Sequence, residues 1–95
     1  MPSEEWSLYI VRNRLGHLYT GISIDVERRF TQHEKGVGAK ALKGKGPLSL
    51  EFQCKIGSKQ RALQLEYQLK QLKKKQKEKL ITDQPSDIAC YLAQK

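Results

Sequence analysis

Ninety-five residues leave room for one domain and one modest core, because a chain this short buries only about two-thirds of the surface its unfolded form exposes. Eighteen Lys and Arg against ten Asp and Glu give a net charge of +8, which favours a polyanionic partner, nucleic acid before an anionic membrane surface. No apolar run is long enough to span a bilayer, and Met1-Pro2-Ser3-Glu4-Glu5 has neither the basic nor the apolar region of a secretory signal, so a cytoplasmic protein with no membrane partner is expected.

The basicity is uneven. Between Lys35 and Lys79 there are 13 Lys or Arg and only three acids, Glu51, Glu66 and Glu78, so this segment alone carries +10. Scattered lysines commonly serve solubility, but clustering on this scale points to phosphate contacts. Cys54 and Cys90 lie 36 residues apart, with no Cys or His nearby at a zinc-ligand spacing, and read as buried or inert thiols.

In chain order, residues 7–13 are rich in branched and aromatic side chains. The turn residues Arg14-Leu15-Gly16 and a second such run over 17–23 complete a predicted β-hairpin. Asp25 is placed to cap a helix that carries Val26, Arg29, Phe30 and His33 at spacings of three and four and ends before Gly36. Residues 35–47, with Gly36, Gly38, Gly44 and Gly46 among Lys35, Lys40, Lys43 and Lys45, read as a loop with mobile lysines. Leu48, Leu50, Phe52, Cys54 and Ile56 alternate as on a strand with one buried face. Ser58 caps a long amphipathic helix with Ala62, Leu65, Leu69 and Leu72 on its stripe, a further turn or two over 74–81 brings Leu80 and Ile81 to the core, and a short helix over 86–93 follows. The predicted fold is α+β, a three-stranded antiparallel sheet flanked by helices in the order β-β-α-β-α-α. It comprises an extension over 1–5, a domain over 6–81 and a short helical tail over 82–95.

Singly, the polar candidates are ordinary: strand tyrosines usually pack, and helical arginines are usually solvated. Together they suggest one site, since Tyr9 and Tyr19 lie on adjacent strands while Arg29 and His33 share a face of the next helix. Glu66 lies beside an apolar stripe, where an unpaired carboxylate is costly. If Glu66 faces the same cleft, the set comprises a metal-binding carboxylate, a cation for a phosphate, two phenols and an imidazole. That set suits metal-assisted phosphoryl hydrolysis.

These residues resemble the GIY-YIG endonucleases, named for two motifs on paired strands. Ser7-Leu8-Tyr9 stands where the family has Gly-Ile-Tyr and Tyr19-Thr20-Gly21 where it has Tyr-Ile-Gly; Asp25-Val26-Glu27-Arg28-Arg29 with His33 resembles its first helix, and Ala62-Leu63-Gln64-Leu65-Glu66 its metal-ligand segment. The likeness spans residues 6–81 and is nearest to the small stand-alone branch, in which the stretch with Gly36-Val37-Gly38-Ala39-Lys40 is a feature. The first motif lacks its glycine and isoleucine, the second its isoleucine, and the last third has no asparagine to match one that some members use.

The resemblance implies a divalent-metal-dependent endonuclease that hydrolyses a phosphodiester bond, with DNA favoured over RNA. It implies that Glu66 holds one Mg2+ or Mn2+ and Arg29 contacts the scissile phosphate. Tyr9 is the candidate general base, which requires its pKa to fall from about 10 toward neutrality, His33 accepts or relays that proton, and Tyr19 orients water or phosphate. Lys40, Lys43, Lys45, Arg28, Lys70, Lys73, Lys74 and Lys77 are the candidate backbone contacts. The alternatives are a module that binds nucleic acid with weak or no catalysis, and an RNA-associated protein whose tyrosines are stacking platforms.

Overall fold

The computed structural model describes residues 5–93, with Ala41 described by its backbone only; residues 1–4 of the expected extension and 94–95 of the expected tail lie outside it. The hairpin is formed by β1 (Trp6–Arg12) and β2 (Leu18–Ser23). Asn13 fixes its turn, because its buried Oδ1 accepts the backbone N–H groups of Leu15 and His17. Asp25 caps α1 (Val26–Glu34) as its residue type predicts, Oδ1 accepting the Arg28 N–H at 3.1 Å. Next come β3 (Ser49–Gly57), α2 (Lys59–Lys70) capped by Ser58, α3 (Lys74–Asp83) and α4 (Ile88–Ala93). The sheet is antiparallel throughout in the order β2-β1-β3.

Because β1 is central and its side chains alternate between faces, it feeds two cores. Leu8 and Ile10 pack with Phe52, Cys54, Leu65, Leu69, Leu80 and Ile88, so α2, α3 and α4 cover that face. Tyr9 and Val11 face the other way, onto Val26 of α1, onto Leu42 of the glycine-rich segment and onto Leu48 just before β3. Burying Ile88 ties the last helix into the first core.

Three local expectations change. The long helix predicted from residue 58 divides at Gln71–Lys73. Continued without a break, it would stack Lys70, Lys73, Lys74 and Lys77 along one side at repulsive spacings, and Gln76 Oε1 instead accepts the Lys73 N–H to start a new helix. The alternating run of β3 does not share one face: Ile10 pairs with Phe52 but Val11 with Leu50, and the extra residue, Glu51, sends Leu50 to the Tyr9 core and Phe52 to the other. The bulge leaves the Glu51 carbonyl to the Gln84 side-chain amide, which donates to it at 2.9 Å. The glycine-rich segment also contains a 3-10 turn, Lys40–Leu42, held down by Leu42, which is 2% exposed.

Candidate active site

The site forms on the sheet face that packs against α1. Tyr9 and Gly21 are cross-strand partners, and the Tyr9 ring lies across Gly21 so closely that a Cβ there would stand 2.5 Å from Tyr9 Oη. The hydroxyl meets His33 Nε2 at 2.8 Å, on the inner face of α1. Tyr19 closes the cluster, its ring centroid 6.4 Å from that of Tyr9 and 5.5 Å from that of His33 in an edge-on arrangement. Arg29, one turn before His33, places its positive charge near the Tyr9 hydroxyl and donates from Nη1 to Gln32 Oε1 at 3.0 Å, while Arg28 is exposed. Glu66 reaches the same region from α2: its carboxylate acts on the Tyr9 ionisation, its side chain is 18% exposed, and Lys70 Nζ lies 3.4 Å from its Oε2. Of the five residues named from sequence, Tyr9, Tyr19 and His33 are in contact, Arg29 lies one helical turn from His33, and Glu66 acts on Tyr9 from α2 through its charge.

The acidity of Tyr9 runs against expectation. Burial, helped by Tyr19 and by the Glu66 carboxylate, pushes the phenol up to about 12, and the nearby Arg29 offsets only part of this. At 1% exposure the loss of water around a phenolate outweighs one nearby guanidinium. His33 moves down from its ordinary value, first because it is buried and then because Arg29 is close, so it is neutral at pH 7.

Sequence reasoning did not single out the groups that hold these side chains. Gly21 supplies the space for the Tyr9 ring, and Gly38 does the same for His33, since a Cβ there would lie 2.2 Å from Nδ1. The Ala39 N–H donates to His33 Nδ1 at 3.1 Å, and Gln32 holds Arg29. The signal available for Gly38 was its place in the glycine-rich run, which reads as mobility but here allows close approach.

Of the candidate contacts, Lys40 and Lys43 are exposed on the loop, while Lys45 is half-buried and its carbonyl accepts the Arg14 N–H at 3.0 Å. Lys74 Nζ lies near Gly16 of the hairpin turn, 3.8 Å from where a Cβ would stand, so both Lys45 and Lys74 lie beside that turn. Lys70 is engaged by Glu66, Lys73 precedes α3, and Lys77 is half-buried. A hollow of about 440 Å³ lined by Asp25, Arg28, Arg29 and Gln32 borders the cluster on the α1 side. One of about 170 Å³ lined by His17, Tyr19, Leu42 and Lys45 borders it on the hairpin side. The hollow between β3, α2 and α4, lined by Cys54, Arg61 and Asp87, contains none of the five residues.

Among the described residues no group of three or more His, Cys, Asp or Glu could hold a metal ion. The carboxylate near the cluster is Glu66, and both ring nitrogens of His33 are already engaged, which leaves oxygen as the available donor type. That oxygen-only set fits a hard divalent ion that keeps most of its own waters, as Mg2+ does, and does not fit a closed zinc site.

Tyrosines facing each other across a hairpin, with a helix behind one and a lone carboxylate beyond, belong to a nuclease-type domain. The chain belongs to the GIY-YIG family, matching the model of the GIY-YIG catalytic domain over residues 5–79. Nucleases of this family generally use divalent metal ions and act on nucleic acid. The chain is similar to small single-domain UPF0213 proteins: 54% identical to one from Yersinia enterocolitica over 97% of this chain and 95% of that one, and 54% identical to one from Photorhabdus laumondii over 98% and 89%. The solution NMR structure of a UPF0213 protein from Bacillus halodurans is 37% identical, with a TM-score of 0.54 over 82% of this chain and 83% of that one. Among the described residues no helix is long and apolar enough to cross a membrane.

Proposed function

We propose that the protein is a divalent-metal-dependent endonuclease that hydrolyses phosphodiester bonds in DNA, reading backbone or shape rather than base sequence, with residues 6–81 carrying the activity. The observation that supports this most is the contact of Tyr9, Tyr19 and His33 on the sheet face that packs against α1, with the charges of Arg29 and Glu66 both acting on the Tyr9 hydroxyl. Glu66 is the residue to hold the ion, with Mg2+ or Mn2+ the suitable choices. The bound ion would supply Lewis-acid stabilisation of the phosphate and of the leaving oxygen. Arg29, fixed by Gln32, offers a preorganised cation to the same phosphate, and a charge that need not reorganise is worth most where water is excluded. Tyr9 and Tyr19 present hydroxyls to orient the attacking water.

The raised Tyr9 phenol favours a second reading, a domain that binds nucleic acid and cuts it weakly or not at all, because a phenol near 12 is a poor base at neutral pH. A cleavage panel of linear, nicked, flap and branched DNA with Mg2+, Mn2+ or chelator separates the two. Metal-dependent cutting is expected, and binding without cutting on every substrate would support the second reading. Glu66→Gln is expected to abolish cutting with binding nearly intact. Arg29→Ala should lower the rate by about 10²–10³-fold, far more than Arg28→Ala. Equal losses for the two arginines would remove Arg29 from the site.

A further inference from the structure

His33 is 1% exposed and both its ring nitrogens are engaged: Nδ1 receives the Ala39 N–H at 3.1 Å, and Nε2 faces Tyr9 Oη at 2.8 Å. A neutral imidazole has one donor and one acceptor, and a backbone N–H only donates. Nδ1 must therefore carry no proton, and the ring proton sits on Nε2, directed at Tyr9 Oη. The phenol oxygen is the acceptor in that bond, which leaves the Tyr9 hydroxyl proton to be donated elsewhere.

The loop is shaped to make this contact. A Cβ at Gly38 would lie 2.2 Å from His33 Nδ1 and 3.1 Å from its Cα. The Gly38 backbone is outside the left-handed region, so it is the missing side chain that this position needs, not conformational freedom. Packing fixes the loop as well, because Ala39 and Leu42 lie against the core that contains Tyr9.

We propose that the Gly38–Ala39 backbone is a positioning element for the proton at this site: it fixes neutral His33 as the Nε2–H tautomer, so that His33 donates to Tyr9 Oη and does not take the Tyr9 proton. On ionisation the phenol proton passes to water, and the phenolate left behind is held by His33 Nε2–H, with the Arg29 charge nearby. The glycine-rich loop then does more than carry lysines. Its backbone sets the direction of a hydrogen bond that the residue types alone leave open.

The consequence for cleavage rests on the nuclease reading above, but the tautomer does not, and the two are tested separately. Two-bond 15N–1H correlation spectra of the uniformly labelled full-length protein at neutral pH distinguish protonated from bare ring nitrogens. His33 is expected to show a bare Nδ1 and a protonated Nε2, whereas the exposed His17 serves as an internal reference. A proton on Nδ1 of His33 would overturn the proposal whether or not the protein cuts DNA. Gly38→Ala should shift the His33 ring nitrogens while the remaining spectrum reports an intact fold; unshifted His33 signals would overturn the role given to the loop.

Where cleavage is measurable, His33→Gln places an amide nitrogen near the Nε2 position and His33→Asn places one near Nδ1. Gln should retain activity within about tenfold and Asn should lose about 10²-fold, the scale of a positioned proton-handling group. The reverse order would assign His33 the opposite role.

Discussion

Tyr9 joins the protein's stability to its chemistry. Its phenol ionises at an ordinary value of 10.0 in the unfolded chain and at about 12 in the folded one, mainly because it is buried. A raised folded value means that the native state holds the proton more tightly. This contribution to stability is fully present below pH 10 and is lost as pH rises through about 12. Tyr91 is also shifted upward, by its hydrogen bond to Asp83, so the test needs a variant: denaturant titrations across this range should show a steeper loss for the wild type than for Tyr9→Phe. Identical pH profiles would mean that Tyr9 is not buried as described. At the acid end, burial and Arg29 lower His33, so its contribution is present above the ordinary value of 6.5 and is lost as pH falls below it. The sequence named these candidates by their resemblance to the GIY-YIG motifs, and the contact of Tyr9, Tyr19 and His33 was the part of the site that the hairpin and helix patterns made legible. Their environments were not legible, since desolvation depends on what packs over Tyr9, and that includes Ala39 and Leu42, some 30 residues away in the chain.

At the scale of elements, the sequence displayed what is periodic and concealed what interrupts the period. The stripe Ala62, Leu65, Leu69, Leu72 runs past the end of α2 because Leu72 still packs on the core after the helix has stopped. Leu50 and Phe52 keep their alternation across a bulge that turns them to opposite faces. The bulge is a pairing event between distant segments, of which β3 alone carries no signal, whereas the helix break is local, marked only by the lysine run and by Gln76 capping Lys73. The second motif glycine, quoted in the family pattern, acquires a physical reason only in the hairpin: Gly21 is where the Tyr9 ring crosses β2. Gly21→Ala keeps an allowed backbone, but its Cβ would stand 2.5 Å from Oη and 2.7 Å from Cζ of a ring with no open side. The ring must move and part from His33, so a loss of about 1–3 kcal/mol is expected in denaturant unfolding, together with reduced cleavage. Wild-type stability in this variant would show that the ring does not lie across the glycine.

At the scale of the molecule, the +8 charge is not spread evenly over equivalent cations. Lys55 pairs with Glu5 at 3.2 Å, Lys79 with Asp83 at 3.3 Å, and Lys59 lies over the Trp6 ring at 5.2 Å. Lys40, Lys43 and Lys45 instead project from a segment whose backbone is fastened by buried Leu42, by the Ala39 N–H on His33 and by the Arg14 N–H on the Lys45 carbonyl. Lys45 and Tyr19 line one hollow, and Arg28 and Arg29 line another along α1, so a phosphate backbone that contacted both would follow a path past Tyr19 and Arg29. Each phosphate contact releases bound counterions, and the slope of log K against log[salt] counts them at roughly 0.7 to 0.9 per contact. Replacing Lys40, Lys43 and Lys45 with Gln should therefore flatten the slope by roughly 2 to 3 and weaken binding to all DNA sequences alike. The same substitution at Lys55, Lys59 and Lys79, which already have intramolecular partners, should leave the slope near its wild-type value. If both triple variants flatten it equally, net charge rather than position governs binding, and the path across the site has no support from its lysines.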